Sequence, residues 1–326
     1  MGVEDWETVN LEEFLSSTGD VILSYGGIDF PAKYLKGSTN TIVFLFHGAT
    51  DQSKRPYPLT TGFFPTIPGL HQVSISDAAM AASINLASTW YIGAENIDTQ
   101  DILHHLMMDI SRRVGATRRI YLGGSAGGFA ALYYSWRDKG SLAIVGNPQT
   151  NLNSYALGAN GKPNRFIRYV NNAWPNLSSY EDLENTHTVD VASLYRRKFE
   201  NSVIYLQSSG DREHISSQLF DLLAATKGKL ENFVLNMNFY GILGHSGSVP
   251  VAAFRPWLLA ALAAPGWSAD EILVEWHAQN TLSAGKAKPL AAKKAEPTPQ
   301  HDPADIRIAT VLRNLALARA GEVAGG

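Results

Sequence analysis

Short apolar runs alternate with stretches of helical spacing through most of this 326-residue chain. Residues 41–46 are almost continuously apolar and rich in β-branched and aromatic side chains, as expected of a central strand that is covered on both faces. Residues 101–114 instead carry apolar side chains at helical spacing. This alternation predicts an α/β fold with a mostly parallel central sheet, helices on both of its faces, and ligands at the carboxyl ends of its strands.

Eight further runs have the length and composition of strands. Residues 21–25 and 28–35 are separated by Gly26-Gly27 and fit a hairpin at the sheet edge. The other strand candidates are residues 72–75, 88–92, 119–122, 142–145, 203–207 and 233–239. The other predicted helices are residues 11–17, one that begins behind Ser125, 216–226, 252–264 and 269–278.

The composition of the chain changes at two places, which sets the predicted domains. Residues 1–282 read as one α/β domain, and residues 151–200 break its alternation with Tyr, Asn and Pro, so we expect a cap-like insertion over the active site. Residues 283–304 are rich in Ala, Lys and Pro and predict a flexible linker. Residues 305–326 predict an amphipathic helix and tail, which could dock on another subunit or partner, pack back on the domain, or stay free.

Gly123-Gly124-Ser125-Ala126-Gly127 is a G-x-S-x-G sequence between a predicted strand end and a predicted helix start. A serine on such a sharp strand-to-helix turn sits in strained backbone, so small residues must flank it. Gly123, Gly127 and Gly128 supply that room. We therefore predict Ser125 as a catalytic nucleophile, the alternative being a tight glycine-rich turn.

A serine hydroxyl needs a base, and that base needs a third group to orient it. Asp211 follows the strand run 203–207 and a short turn, and His245 follows the last strand within Gly244-His245-Ser246-Gly247. We predict Asp211 as the acid, with Glu213 as the fallback, and His245 as the base. Asp211 could instead be a helix cap and His245 a surface-loop residue, and His214 is the rival histidine, which could order that loop or contact substrate.

The developing oxyanion of an acyl-transfer reaction requires backbone N–H donors. Ala126 directly follows Ser125 at the start of a helix, so its N–H is the natural first donor. The second should come from the loop after the first central strand, here His47-Gly48-Ala49-Thr50. We predict the Ala49 N–H as this donor, with Gly48 next, and a structural role for the His47 side chain.

Charge and composition limit the classes of partner and cofactor. The formal net charge is −3 and the pI is about 6.3, so nothing draws the chain toward nucleic acid. There is no cysteine, which excludes disulfides and thiolate chemistry. The acidic N-terminus has no secretion signal and no run is long enough to cross a membrane, so we expect a cytoplasmic protein without membrane contact. His104-His105 lacks a third ligand at useful spacing, and we expect no metal and no cofactor.

From about residue 41 to 250 the chain resembles the α/β-hydrolase superfamily. The resemblance rests on the strand-to-helix turn at Ser125, the His-Gly loop at residues 47–50 and the order Ser, Asp, His along the chain. Six short segments further resemble α/β-hydrolase-like proteins of bacterial capsule biosynthesis and of accessory glycoprotein secretion. The resemblance implies the α/β-hydrolase fold and carbohydrate-linked acyl chemistry, and it does not cover the C-terminal linker and helix. The segments are Ser76-Asp77, Trp90-Tyr91-Ile92-Gly93, residues 124–129, Asn147-Pro148-Gln149-Thr150, residues 211–214 and Gly244-His245.

The sequence thus favours a serine hydrolase that acts on carboxylic esters, with a polar acylated substrate for which a glycan is one candidate. Acyl transfer to a sugar hydroxyl, and amidase or peptidase action, use the same residues and stay open. The alternative from another class is a non-catalytic assembly protein that keeps the hydrolase fold. Its terminal helix would then form a homo-oligomer or bind a protein partner. The candidate substrate-binding residues are Gln149, Asn147, Trp90, Tyr91, Trp174 and His214.

Overall fold

The computed structural model describes residues 6–64, 67–155, 165–227, 229–245 and 249–284, with the backbone alone described for 281–284. The chain divides into a compact unit, Met1–Gln279, and a second unit, Asn280–Gly326. The predicted linker 283–304, apart from its first two residues, and the predicted helix 305–326 lie outside the described residues. The domain limits therefore stay a prediction.

The described residues contain nine strands in one sheet, in the order β1-β2-β3-β5-β4-β6-β7-β8-β9. The β2–β3 and β3–β5 pairs are antiparallel and all other neighbours are parallel. The strand order reverses around β4, which places a crevice at its carboxyl end. The strands are β1 (Thr8–Val9), β2 (Asp20–Tyr25), β3 (Ile28–Leu35), β4 (Thr41–Phe46), β5 (His71–Ile75), β6 (Arg118–Gly124), β7 (Leu142–Gly146), β8 (Ser202–Ser208) and β9 (Phe233–Asn238).

Helices connect these strands, as the alternating pattern predicts. Their bounds are α1 (Leu11–Ser16), α2 (Thr99–Val114), α3 (Ala126–Arg137), α4 (Arg165–Ala173), α5 (Tyr180–Thr186), α6 (Val191–Arg197), α7 (Arg212–His214), α8 (Phe220–Ala225), α9 (Phe254–Ala263) and α10 (Ala269–Ala284). A π-helical turn, Ile215–Leu219, joins α7 to α8, so the predicted helix 216–226 is composite. Helices α4, α5 and α6 fall within the predicted insertion 151–200.

Two apolar clusters cover the two faces of the sheet. Phe44 and Tyr121 point to the face that α2 and α3 cover, where Phe129 is also buried. Val43 and Ile120, one residue away along the same strands, point to the face that α9 covers. Because successive strand residues face opposite sides, a strand covered on both faces is buried along its whole length, which favours apolar residues, and all six residues of β4 are buried.

Two local predictions differ from the structure. The strand predicted over residues 88–92 is wrong: that segment is a loop in which Trp90 and Tyr91 take positive φ values of 52° and 58°. Its backbone is held by hydrogen bonds to the Asp77 side chain, which prevent pairing as a strand. The two-residue strand β1 was not predicted and lies outside the β2–β3 hairpin at the sheet edge.

Candidate active site

Ser125 stands on the turn between β6 and α3 with φ 55° and ψ −119°, a strained conformation for a residue with a side chain. The flanking glycines allow the turn. A Cβ on Gly123 would lie 2.3 Å from the Gly127 carbonyl oxygen, and one on Gly127 would lie 2.4 Å from that of Phe46. A Cβ on Gly128 would lie 2.7 Å from Pro148 Cβ. The glycines are therefore required for the close packing that presents the Ser125 hydroxyl at the carboxyl edge of the sheet.

Three predicted residues from three different loops meet at this edge. Ser125 Oγ lies 2.7 Å from His245 Nε2, and His245 Nδ1 lies 2.7 Å from Asp211 Oδ2. A carboxylate only accepts hydrogen bonds, so Nδ1 carries the imidazole proton and Nε2 is free to accept from the serine hydroxyl. This tautomer is the one that a general base for Ser125 requires.

The Asp211 carboxylate is buried, with 1% of its surface exposed, and both of its oxygens are occupied. Oδ2 also accepts from Asn147 Nδ2 at 2.9 Å, and Oδ1 lies 3.1 Å from His214 Nδ1. Asn147 is itself fixed by the backbone N–H of Ser208. Burial alone would raise the pKa of Asp211, but the hydrogen bonds from His214 and His245 outweigh it and hold that pKa well below its usual value. The site thus keeps a negative charge behind His245.

A second buried histidine and a glutamine extend this network. The ring of His214 is parallel to that of His245, with centroids 3.8 Å apart. Gln149 Nε2 donates to His214 Nε2 at 2.8 Å and reaches Ser125 Oγ at 3.2 Å, while Gln149 Oε1 accepts from Trp90 Nε1 at 3.0 Å. Burial lowers the pKa of His214, which favours the neutral ring that this arrangement needs. Gln149 therefore links Ser125 to His214.

The predicted oxyanion donors lie around Ser125. Ala126 is the first residue of α3, so its N–H belongs to the helix N-terminus. A Cβ on Gly48 would stand 3.7 Å from Ser125 Cβ and 3.1 Å from the Gly124 carbonyl oxygen, so the loop backbone passes directly beside the nucleophile. Ala49 follows in the same loop. The structure brings these residues together, and their role as oxyanion donors stays a prediction.

A buried polar network that the sequence analysis missed supports this loop. His47 Nδ1 donates to the Gly48 carbonyl oxygen at 2.8 Å, and His47 Nε2 accepts from the Asp77 N–H at 3.1 Å. Asp77 Oδ2 accepts from the N–H groups of Thr89 at 3.2 Å and Tyr91 at 2.9 Å. Two signals were in the sequence: the structural role predicted for the His47 side chain, and the segment Ser76-Asp77, which follows strand β5 at the same edge as the other site residues.

Three of the candidate substrate-binding residues are aromatic, and their surroundings differ. Trp90 and Tyr91 are 2% and 1% exposed, so both rings pack in the core. Trp174 is half-buried, donates from Nε1 to the Tyr169 hydroxyl, and packs edge-on against His187 with ring centroids 4.9 Å apart. None of these three rings has a face directed to Ser125 in the described contacts, whereas Trp90 acts on the site through Gln149.

The same cluster offers metal-ligand atoms. One donor atom each from Asp211, His214 and His245 lies within 4.8 Å of the others, which is close enough for a shared ion. Both imidazole Nδ1 atoms already hydrogen-bond to the carboxylate, so an ion bound there would replace the contacts that orient His245.

In the described residues, no helix is both long and apolar enough to cross a membrane.

No protein-family model and no curated protein sequence matches the chain. Among solved structures, it is similar to the capsule O-acetyltransferase of Neisseria meningitidis serogroup A, with a TM-score of 0.52 and 15% identity over 83% of this chain and 98% of that chain. A variant of the same enzyme in complex with CoA gives 0.53 and 15% over 76% and 98%. A Glycosylation Associate Protein (Gap123) complex from Streptococcus agalactiae gives 0.47 and 15% over 70% and 42%. The strand order and the two matches to the capsule O-acetyltransferase confirm the predicted α/β-hydrolase fold.

Proposed function

We propose that this protein is a serine-dependent acyl hydrolase that cleaves carboxylic esters through an acyl-enzyme on Ser125. One observation carries the proposal: the continuous chain from Ser125 Oγ to His245 Nε2 and from His245 Nδ1 to Asp211, with both distances at 2.7 Å. An activated serine needs these two contacts together. The strained φ of Ser125 adds support, because such strain concentrates at functional sites.

The proposed reaction proceeds in two steps. Ser125 Oγ attacks the acyl carbonyl carbon while His245 Nε2 takes the hydroxyl proton, and the N–H groups of Ala126 and Ala49, or Gly48, bind the oxyanion. His245 then gives the proton to the departing alcohol oxygen. In the second step His245 takes a proton from a water molecule while the water oxygen attacks the acyl carbon. The bond from that carbon to Ser125 Oγ then breaks and His245 returns the proton to Oγ, which releases the acid and restores Ser125. Asp211 stabilises the imidazolium that forms in both steps.

We favour a polar acylated substrate, such as a glycan or glycoconjugate ester, over a long lipid ester. Two observations support this preference. The insertion 151–200 is rich in Asn, Tyr and Ser, and the matched solved structure with a TM-score of 0.52 is that of an enzyme named for acetyl transfer to a capsule. Activity on synthetic esters that rises with acyl-chain length would overturn the preference.

Acyl transfer to a sugar hydroxyl is the second candidate. The complex of the matched acetyltransferase variant with CoA favours it, because the fold can hold an acyl-carrier thiol. In this chemistry the acceptor hydroxyl replaces water in the second step, and the same three residues serve. Product analysis separates the two: an acylated sugar formed when a glycan acceptor is added supports transfer, and free acid alone supports hydrolysis.

The first test of the acyl-enzyme is labelling with a fluorophosphonate, which reacts only with activated serines, followed by intact-mass measurement. We expect one adduct on the wild-type chain and none on Ser125→Ala or His245→Ala. Ser135→Ala is the matched control, because Ser135 is a buried serine in α3 whose hydroxyl bonds to Ser141. No adduct on folded wild-type protein would contradict the proposal and favour the assembly role. That role has its own test: a chain ending at Leu282 should then lose oligomerisation.

A further inference from the structure

A cavity of about 470 Å³, which we call the arginine cavity, lies beside the oxyanion loop. Its first wall is formed by residues 49–53 and its second by residues 84–88. Arg165, Arg168 and Tyr169 of α4 complete the lining. Because Ala49 belongs both to this lining and to the loop 47–50 that is predicted to bind the oxyanion, the cavity borders that loop.

The loop walls of the arginine cavity are held by hydrogen bonds to the backbone. The Gln52 side chain is buried, and its Nε2 donates to the carbonyl oxygens of Ser83 at 3.0 Å and Leu86 at 2.8 Å. The Thr50 N–H donates to the Ala87 carbonyl oxygen at 2.8 Å. The two walls are therefore tied to each other along their length.

The two arginines are placed by the buried side of α4. Phe166 and Tyr169 pack against Trp90, with ring centroids 5.7 Å and 5.8 Å from it, and both are buried. Arg165 and Arg168 are three residues apart, so they share one face of the helix, and both are exposed. Trp90 also bonds to Gln149, which contacts Ser125. The position of the arginine pair is thus linked to the nucleophile through packed side chains.

The charges around the arginine cavity favour an anion. Its one acidic lining residue, Asp51, accepts two hydrogen bonds from Ser53 and lies 3.6 Å from Lys54. Lys54 and Ser53 balance the negative charge of that carboxylate. The two guanidinium groups therefore give the lining of the cavity a net positive charge. Burial raises the pKa of Tyr155, and Arg165 lies close enough to oppose that shift. The Tyr155 ring in turn packs edge-on against His214, with ring centroids 5.5 Å apart.

We propose that the arginine cavity binds an anionic group, phosphate or carboxylate, of the acyl donor or acceptor while the reacting carbonyl lies at Ser125. The inference rests on the proposed function, because it assigns the cavity to the substrate of that site. A guanidinium offers a planar fork of N–H donors that matches phosphate and carboxylate oxygens, and two forks on one helix face suit a group with several such oxygens. Neutral esters are then the weaker substrates.

The test measures binding by isothermal titration to a folded chain carrying Ser125→Ala, which cannot turn over. The probes are inorganic pyrophosphate, glucose 6-phosphate, glucuronate and neutral glucose. We expect the anions to bind and glucose not to bind, and we expect Arg165→Gln with Arg168→Gln to raise the anion Kd at least about 10-fold, the scale of one lost charge-assisted hydrogen bond. Arg113→Gln on α2, also an exposed arginine, is the matched control and should leave the Kd unchanged.

Each outcome decides. If pyrophosphate binds more tightly than glucuronate, the ligand is assigned as a phosphorylated compound. If glucuronate binds more tightly, the ligand is assigned as an acidic sugar. Arg165→Lys with Arg168→Lys keeps the charge and should weaken binding less than the glutamine pair. Equal anion binding by the glutamine pair and the control, or equal binding of glucose and the anions, or no binding of any anion, would overturn the inference. Fluorophosphonate labelling of the wild type is a separate measurement: labelling without anion binding defeats the arginine cavity alone, and anion binding without labelling defeats the proposed function alone.

Discussion

Two buried aspartates follow strands β5 and β8 at the carboxyl edge of the sheet, each beside a histidine. They accept hydrogen bonds from different donors. Asp211 accepts from the ring nitrogens of His245 at 2.7 Å and His214 at 3.1 Å. The side chain of Asp77 accepts from backbone N–H groups of the loop 89–91, whereas its own N–H donates to a histidine ring. One carboxylate orients imidazoles, and the other shapes a loop.

The pKa values of the two carboxyl groups shift in opposite directions. Burial raises the pKa of Asp77, and the hydrogen bonds that it accepts do not offset this. Burial also acts on Asp211, but the imidazole donors prevail and its pKa falls. Burial of an aspartate is therefore not by itself a sign of catalysis. The imidazole donors that stabilise its charge distinguish Asp211, the aspartate of the proposed triad, from Asp77.

The largest expected effect comes from removing the charge of each aspartate in turn. In Asp211→Asn the amide cannot stabilise the imidazolium of His245 and can present an N–H to its Nδ1–H, so we expect turnover of an ester to fall about 10,000-fold, as when the acid of such a triad is neutralised. Asp77→Asn keeps the side-chain oxygen that the loop needs, and we expect a loss below about tenfold. Steady-state kinetics on one ester compares the two.

Thermal unfolding provides the control for this comparison, since both variants must be folded for the rates to count. Equal losses in two folded variants would contradict the distinction and would give Asp77 a direct part in the chemistry. A folded Asp211→Asn chain with nearly full turnover would instead remove Asp211 from the triad and leave Glu213 as the acid to examine.

The sequence was sufficient for the elements whose pattern is set by burial on both faces. The strands β4 and β8 are buried at every position because helices cover both sides of the sheet, and their central residues are apolar. Ser125, Asp211 and His245 each follow a strand at its carboxyl end. The edge strand β1 has only two residues, which is too short for any periodicity to show.

The sequence was insufficient where a distant side chain decides the local structure. The segment 88–92 has the composition of a strand, yet its N–H groups bond to Asp77, which is 12 to 14 residues away. Likewise Gln149 follows β7 as a polar residue, and no local pattern shows that its amide meets Ser125 and His214. Such contacts depend on how separate loops meet at the sheet edge.

An intermediate effect is expected at the side-chain network around Asp211. Gln149→Leu keeps the approximate volume and removes the N–H groups that reach His214 and Ser125, so we expect kcat/KM to fall about 10- to 100-fold, the scale of one or two hydrogen bonds at a reacting group. The rate of fluorophosphonate labelling should fall with it. Gln218→Leu is the matched control: Gln218 is equally buried and bonds to the backbone of Thr150 and Asn151.

The two glutamine variants should separate chemistry from stability. Gln218→Leu leaves buried backbone N–H groups without their acceptor, so it should lower the free energy of unfolding by about 1–3 kcal/mol and slow labelling less than Gln149→Leu does. If Gln149→Leu lost only stability and Ser125 were labelled at the wild-type rate, the Gln149 amide would serve packing alone. The network around Asp211 would then be structural, like the network around Asp77.

The smallest expected effect is the pH dependence of stability, which should have opposite signs at the two aspartates. The lowered pKa of Asp211 means that its charge stabilises the fold above about pH 4, the ordinary aspartate value, and that this contribution is lost as the pH falls below it. The raised pKa of Asp77 means that its protonated form stabilises the fold at low pH and that this contribution is lost as the pH rises through the raised value.

Urea unfolding between pH 3.5 and 7 can read both signs from differences between each variant and the wild type. The destabilisation caused by Asp211→Asn should grow with rising pH, and that caused by Asp77→Asn should shrink, each by about 1 kcal/mol or less. Burial lowers the pKa of His214 and of His47, so all three chains lose stability below about pH 6.5, and only the differences are informative. If the destabilisation of both variants changed with pH in the same direction, the imidazole donors would not stabilise the ionised form of Asp211. The two carboxylates would then differ only in their positions.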